Sequence, residues 1–239
     1  MSAVSSSVAR WGMFEVHLTA PAMLLSDPAV NPFEVSLSAH FWPTDAPAAA
    51  RKVRGFFFGD GEYRIRFSPT SSGTYSYRTL STIAEMDGHL GTFAVGAAAA
   101  DDHGPVHASA HTFHHADGTE HFSVGTTAYS WAHQSAHRRN STLATLAPGG
   151  RGGAFNKLRM LLLPMWDPDG YYHVEPSRYP FMTVNDSGVC RQAQDCTNRW
   201  DWRRFDAQYW RSLDDVVGAL RALRVQADLI LFHPYDHCK

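Results

Sequence analysis

Three runs of this sequence end in side chains that can bind or polarise a polar ligand. Tyr129-Ser-Trp-Ala-His-Gln134 follows the first, Arg159 sits inside the second, and His233-Pro-Tyr-Asp236 closes the third. The second run also leads into Met165-Trp166-Asp167. An aromatic face, a cation, an imidazole and a carboxylate brought to one cleft describe a polar-ligand site. Trp131, Trp166 and Tyr235 have flat apolar faces with polar tips, suited to stacking on a pyranose ring. Arg159 and His233 can hydrogen-bond hydroxyls or orient a carboxylate. The predicted substrate-binding set is Tyr129, Trp131, His133, Gln134, Arg159, Trp166, His233, Tyr235 and Asp236. Each has a plainer alternative. Arg159 could bond a neighbouring strand, His233 could be a satisfied core histidine, and Asp236 could cap a following helix. Trp166 and Asp167 could be ordinary loop residues. Glycoside hydrolysis needs two carboxylates facing one bond, about 5–5.5 Å apart for retention or about 6.5–9.5 Å for inversion. The acids near these strand ends are Asp167, Asp169, Glu175 and Asp236, and none has a setting that marks it as acid or nucleophile.

The runs themselves read as strands at His121–Thr127, Phe155–Met165 and Ala227–Asp236. The second is nearly all apolar, as a strand buried on both faces should be. Between the first two, Ser141 is a candidate cap for a short helix through Leu146. Before the third, Phe205, Tyr209, Leu213, Val216, Val217, Leu220 and Leu223 form one stripe at helical spacing. Strand, helix, strand, helix, strand implies parallel pairing through right-handed crossovers. In a (β/α) barrel, strand ends distant in sequence converge on one face. The stretch from Trp166 to Trp202 carries Pro168, Gly170, Pro176, Pro180 and Gly188, and is expected to be an irregular loop.

The first half has a different period. Phe14–Leu18, Phe33–Phe41 and Tyr63–Phe67 alternate apolar and polar residues, the mark of half-buried strands. Asn31-Pro32, Asp60-Gly61 and Ser72-Gly73 are turn signals, and Gly73–Leu80 is a further strand. This predicts an immunoglobulin-like antiparallel sandwich without the Cys-Trp-Cys core. The expected organisation is a disordered tail at 1–10, a β-sandwich at 11–96, a linker at 97–110 and the barrel portion at 111–239. The fold class is multidomain: a β-sandwich followed by the first three βα units of a (β/α)8 barrel.

The bulk properties narrow the function. Of 239 residues, 44% are hydrophobic and 13% aromatic, enough for a sizeable core. Lys plus Arg is 21 against 23 for Asp plus Glu, so nothing favours nucleic acid, whose binders carry a basic face. No apolar run approaches the length of a membrane span. The amino terminus lacks the charged and apolar regions of a secretory signal, which predicts a cytoplasmic chain, or an extracellular one if residues precede Met1. His111, His114, His115 and His121 match no familiar zinc spacing, nor does Cys190-x5-Cys196, so neither a metal nor a cofactor is expected. Cys190 and Cys196 would pair only after export, and the third cysteine, Cys238, leaves an odd count.

Several blocks carry a family likeness. Trp11-x2-Phe-Glu, Asn31-Pro-Phe, Gly55-Phe-Phe-Phe-Gly-Asp-Gly, Arg66-Phe-x-Pro and Gly73-Thr-Tyr-x-Tyr resemble the DUF5060-type β-sandwich, which precedes glycoside hydrolase barrels. Asp117-Gly-Thr, Val124-Gly-Thr-Thr-Ala-Tyr-x-Trp-x-His-Gln, Phe155-Asn-Lys-x-Arg-Met and His233-Pro-Tyr-Asp resemble the barrels of the DUF4038 and DUF5605 families and the apiosidase-like hydrolases. The resemblance implies a retaining glycosidase acting on an oligo- or polysaccharide. It implies an acid/base after strand four and a nucleophile after strand seven, supported by an Arg on strand two and a His on strand three. Arg159 and His233 match those two places. Both catalytic Glu residues would then lie beyond Lys239, and the chain would be the amino-terminal portion of the enzyme. Such a portion, with an open parallel edge, is expected to express poorly or to associate. The alternative is a non-catalytic carbohydrate-binding or structural module.

Overall fold

The computed structural model describes residues 7–22, 24, 29–163, 178–183 and 200–231. The chain divides into two compact units, Met1–Phe122 and Ser123–Lys239.

The first unit is β throughout its described core. Its strands are β1 (Ser7–Ala9), β2 (Phe14–Thr19), β3 (Leu37–Pro43), β4 (Arg51–Gly59), β5 (Glu62–Phe67), β6 (Gly73–Ser81) and β7 (Leu90–Gly96). They are hydrogen-bonded in the order β1-β7-β6-β3-β4-β5-β2. β4 joins the two layers. Arg51–Arg54 pair with β3, and the segment from Gly55 pairs with β5. The switch falls at Gly55 for a steric reason: a Cβ there would lie 2.6 Å from Leu37 Cδ2. The turn from β4 to β5 is Asp60-Gly61, both at positive φ (52° and 77°), as a two-residue hairpin turn requires.

Period-two alternation places Phe14, Val16, Leu18, Tyr63, Ile65 and Phe67 in the core and Glu15, His17, Glu62, Arg64 and Arg66 on the outer face. Rings from the two layers meet inside. Phe14 stacks on Phe93 at 3.6 Å, and Phe41 on Phe67 at 4.4 Å. Thr79 is buried yet satisfied, since its hydroxyl donates to the Met86 carbonyl at 2.8 Å and accepts from the His89 amide at 2.9 Å. The strand expected from Phe33 starts instead at Leu37. Pro32–Glu34 is a 3-10 turn, because Pro32 lacks an amide for a ladder and Asn31 Oδ1 accepts from the Phe33 amide at 3.2 Å.

A hairpin of β8 (Val106–Ser109) and β9 (Thr112–His115) ends this unit. Side chains tie the 97–110 stretch to the hairpin. His103 bonds Asp117 at 2.7 Å, and His115 Nδ1 donates to the Gly104 carbonyl at 3.0 Å.

The second unit centres on a parallel sheet of β10 (Gly125–Thr127), β11 (Lys157–Leu161) and β14 (Gln226–Ile230), in that order. The intervening helices are α1 (Ala136–Leu146) and α2 (Ala207–Ala222). Leu158, Met160 and Leu162 pack with Leu213, Val216, Leu220 and Val225 in one core. The cap of α1 is Ser135, not Ser141, with its Oγ accepting from the Arg138 amide at 3.4 Å. Ser141 lies mid-helix, where its carbonyl accepts from the Thr145 hydroxyl. The first turn, Ala-His-Arg-Arg-Asn, carries no apolar stripe, so periodicity gave the helix too late a start.

The stretch expected to be an irregular loop holds regular structure among its described residues. β12 (Phe181–Thr183) pairs antiparallel with β13 (Trp200–Phe205). Aromatic rings gather this pair. Phe181 and Phe205 lie 5.2 Å apart, Tyr179 and Trp200 4.9 Å, and Trp210 Nε1 donates to the Pro180 carbonyl at 2.9 Å.

Candidate functional site

Two polar places flank the parallel sheet, one on each face. Alternation along β11 decides which residue goes where. Leu158 and Met160 face the helices, so Arg159 must face the other way. The register puts Thr127, Arg159 and Asp228 in one row across β10, β11 and β14. Arg159 Nε donates to Asp228 Oδ2 at 3.1 Å. The Arg159 side chain stays 54% exposed and that of Asp228 30%, so the pair is wet and open to a ligand.

The second place is a cleft of about 320 Å³ on the helix-packed side, at the carboxyl end of the sheet. After β10 the chain turns through a 3-10 segment, Trp131–His133, and α1 and α2 begin nearby. His133, Gln134, Arg139, Arg178, Gln208 and Ser212 line the cleft. Tyr209 and Leu213 form its apolar part. Asp206 caps α2, accepting from the amides of Gln208 and Tyr209 at 2.9 and 3.1 Å. Its other oxygen accepts from Arg178 Nη1 at 2.8 Å. The His133 ring lies over Tyr209, with centroids 6.0 Å apart and planes 23° apart. The Tyr209 hydroxyl donates to the Leu162 carbonyl, and burial pushes its pKa well above the usual phenol value. It is therefore a fixed donor, not a proton carrier.

The residues predicted for one cleft are divided between these places. His133 and Gln134 line the helix-side cleft, while Arg159 lies on the opposite face. Tyr129 is 41% exposed, and its carbonyl accepts from the Leu161 amide at 2.8 Å. Trp131 is 4% exposed and packs in the core with Leu158 and Leu213, so its ring offers no open face for stacking a sugar. Trp166, Asp167, Asp169, Glu175, His233, Tyr235 and Asp236 lie outside the described residues, as do Cys190, Cys196 and Cys238. Sequence reasoning missed Asp228, although a lone carboxylate in an apolar strand, level with Arg159, was the available signal. It also missed Arg139, Arg178, Gln208 and Ser212, which come from three separate segments.

Among the described residues, no group of three or more His, Cys, Asp or Glu side chains could hold a metal ion. His103, His115 and His121 are near neighbours, but the latter two bond each other at 3.2 Å. No helix among the described residues is long and apolar enough to cross a membrane.

Residues 7–82 match the family model described as Domain of unknown function (DUF5060). The chain is also similar to the crystal structure of a "putative glycoside hydrolase" from Bacteroides vulgatus, with 35% sequence identity and a TM-score of 0.80. That match covers 98% of this chain and 42% of the other, so this chain spans less than half the length of that protein. The Lin-41 filamin domain aligns with 38% of this chain and 83% of its own, at 16% identity and a TM-score of 0.27. No curated protein matches the chain.

Proposed function

We propose that this chain is the amino-terminal part of a glycoside hydrolase: the sandwich and the first three βα units of a (β/α)8 barrel. The reading rests above all on the similarity to the Bacteroides protein over 98% of this chain at 35% identity. The parallel order β10-β11-β14, with helices packed on one face, supports it from the chain itself. The opposite face then becomes the barrel interior, and Arg159 and Asp228 form a polar layer within it. In this reading Arg159 positions a carboxylate near the sugar by charge-assisted hydrogen bonding. Hydrolysis of an O-glycosidic bond with retention needs a nucleophile and an acid/base, and later barrel strands supply both. The DUF4038- and DUF5605-like motifs fit this assignment. The ligand is an oligo- or polysaccharide.

A second reading, a carbohydrate-binding sandwich, is favoured by one surface. Phe56 is exposed with the Arg66 guanidinium 5.0 Å from its ring, beside an Arg66–Glu15 pair at 2.7 Å. The deciding experiment compares this chain with a form extended to the length of the Bacteroides relative, on aryl glycosides and plant polysaccharides. Cleavage by the extended form alone supports the first reading. Sugar binding by both, with cleavage by neither, supports the second. Cleavage by the 239-residue chain overturns the placement of the catalytic pair.

A further inference from the structure

We propose that the helix-side cleft binds a compact oxyanion, and that its source is the carboxylate of a sugar acid. The sugar part rests on the carbohydrate reading above. The anion part stands on the cleft alone.

Charge is out of balance there. Arg139 and Arg178 supply two permanent cations, with amide donors from Gln134 and Gln208 and a hydroxyl from Ser212. The carboxylate at its edge and one amide oxygen of its lining are already engaged. Asp206 accepts from Arg178 and from two helix amides, and Gln134 Oε1 accepts from Arg138 Nη1 at 3.2 Å. Arg139 spends one contact on the Ala132 carbonyl at 3.3 Å, and Arg178 one on Asp206. A guanidinium has five N–H donors, so among the described residues each arginine keeps others for a ligand. With two guanidinium groups against the single Asp206 carboxylate, the described residues around the cleft are net positive and match an oxyanion. The volume of about 320 Å³ suits one sugar ring, and Tyr209 and Leu213 give it an apolar wall. Neither Arg159 nor Asp228 lines this cleft, so it is a subsite separate from the proposed barrel interior.

The test is isothermal titration of the 239-residue chain with sodium D-glucuronate, methyl β-D-glucopyranoside and inorganic phosphate. Glucuronate should bind, and the neutral glycoside should not. The Ser212→Asp variant places a carboxylate in the cleft without removing a buried contact, since Ser212 is exposed. It should keep the parental melting temperature and lose glucuronate affinity by about tenfold or more. Raising salt from about 50 to about 500 mM should also weaken binding. Phosphate binding without glucuronate binding would keep the oxyanion site and overturn the sugar acid. Equal binding of glucuronate and the neutral glycoside, no binding of either anion, or unchanged affinity in Ser212→Asp would overturn the site. The phosphate arm is independent of hydrolysis, so its outcome separates this proposal from the enzyme reading.

Discussion

Arg159 and Asp228 occupy the same level of adjacent parallel strands, and the guanidinium Nε reaches the carboxylate Oδ2 across 3.1 Å. Sixty-nine residues separate them in the chain. Both side chains remain partly wet, so the pair adds little to stability, about 0–1 kcal/mol. In the proposed glycosidase, a charge pair of such small structural worth would serve the ligand.

Arg159→Ala, made in a form carrying the complete barrel, should therefore cut kcat strongly while moving Tm by no more than a few degrees. Steady-state kinetics beside a thermal melt checks this. Parallel losses of activity and stability would make Arg159 a structural residue.

Leu220 has 0% exposure and joins both helix and sheet in the second core. Leu220→Ala should cost about 2–5 kcal/mol by lost burial and an unfilled cavity. Urea unfolding followed by the fluorescence of Trp200, Trp202 and Trp210 would read it.

Alkali should loosen the sandwich through its tyrosines. Tyr63 is 1% exposed, its hydroxyl donates to the Pro32 carbonyl at 2.8 Å, and burial pushes its pKa up from 10.0 to about 12. Burial raises Tyr77 as well. A folded-state pKa above the unfolded value means that the unfolded chain releases its proton first. Stability is then whole below pH 10 and declines between pH 10 and about 12. In Tyr63→Phe that decline should be shallower in chemical denaturation measured across the range. An unchanged slope would place the ionisation elsewhere.

Asp117 should titrate far below an ordinary carboxylate. The Thr119 amide donates to its Oδ1 at 2.9 Å, His103 bonds its Oδ2 at 2.7 Å, and together they lower its pKa from 3.8 to about 2. The contribution to stability is complete above pH 3.8 and fades as pH falls towards about 2. Carboxyl carbon shifts in a pH titration would show the midpoint, and His103→Ala should raise it.

The sandwich was legible where alternation and turn chemistry agreed. Phe14–Leu18 and Tyr63–Phe67 fell as expected because a period of two leaves one face for water. Asp60-Gly61 did so because few residue pairs accept two positive φ angles. Phe33 misled because Pro32 and the Asn31 cap outweighed its β preference. Ser141 misled because Ser135 could cap a turn that had no apolar stripe to announce it.

The sequence by itself determined the period of each segment, and through it a β half followed by alternating strands and helices. It also determined the stock of aromatic, cationic and acidic side chains. Only the tertiary structure decided which of those side chains meet. Parallel register set Arg159 beside Asp228, and the pleat turned Arg159 away from the face on which His133 and Gln134 lie. Burial took Trp131 into the core, where its apolar ring has more to gain than at the surface. Neighbours within an element follow from local geometry. Neighbours across elements follow from packing that a linear pattern does not encode.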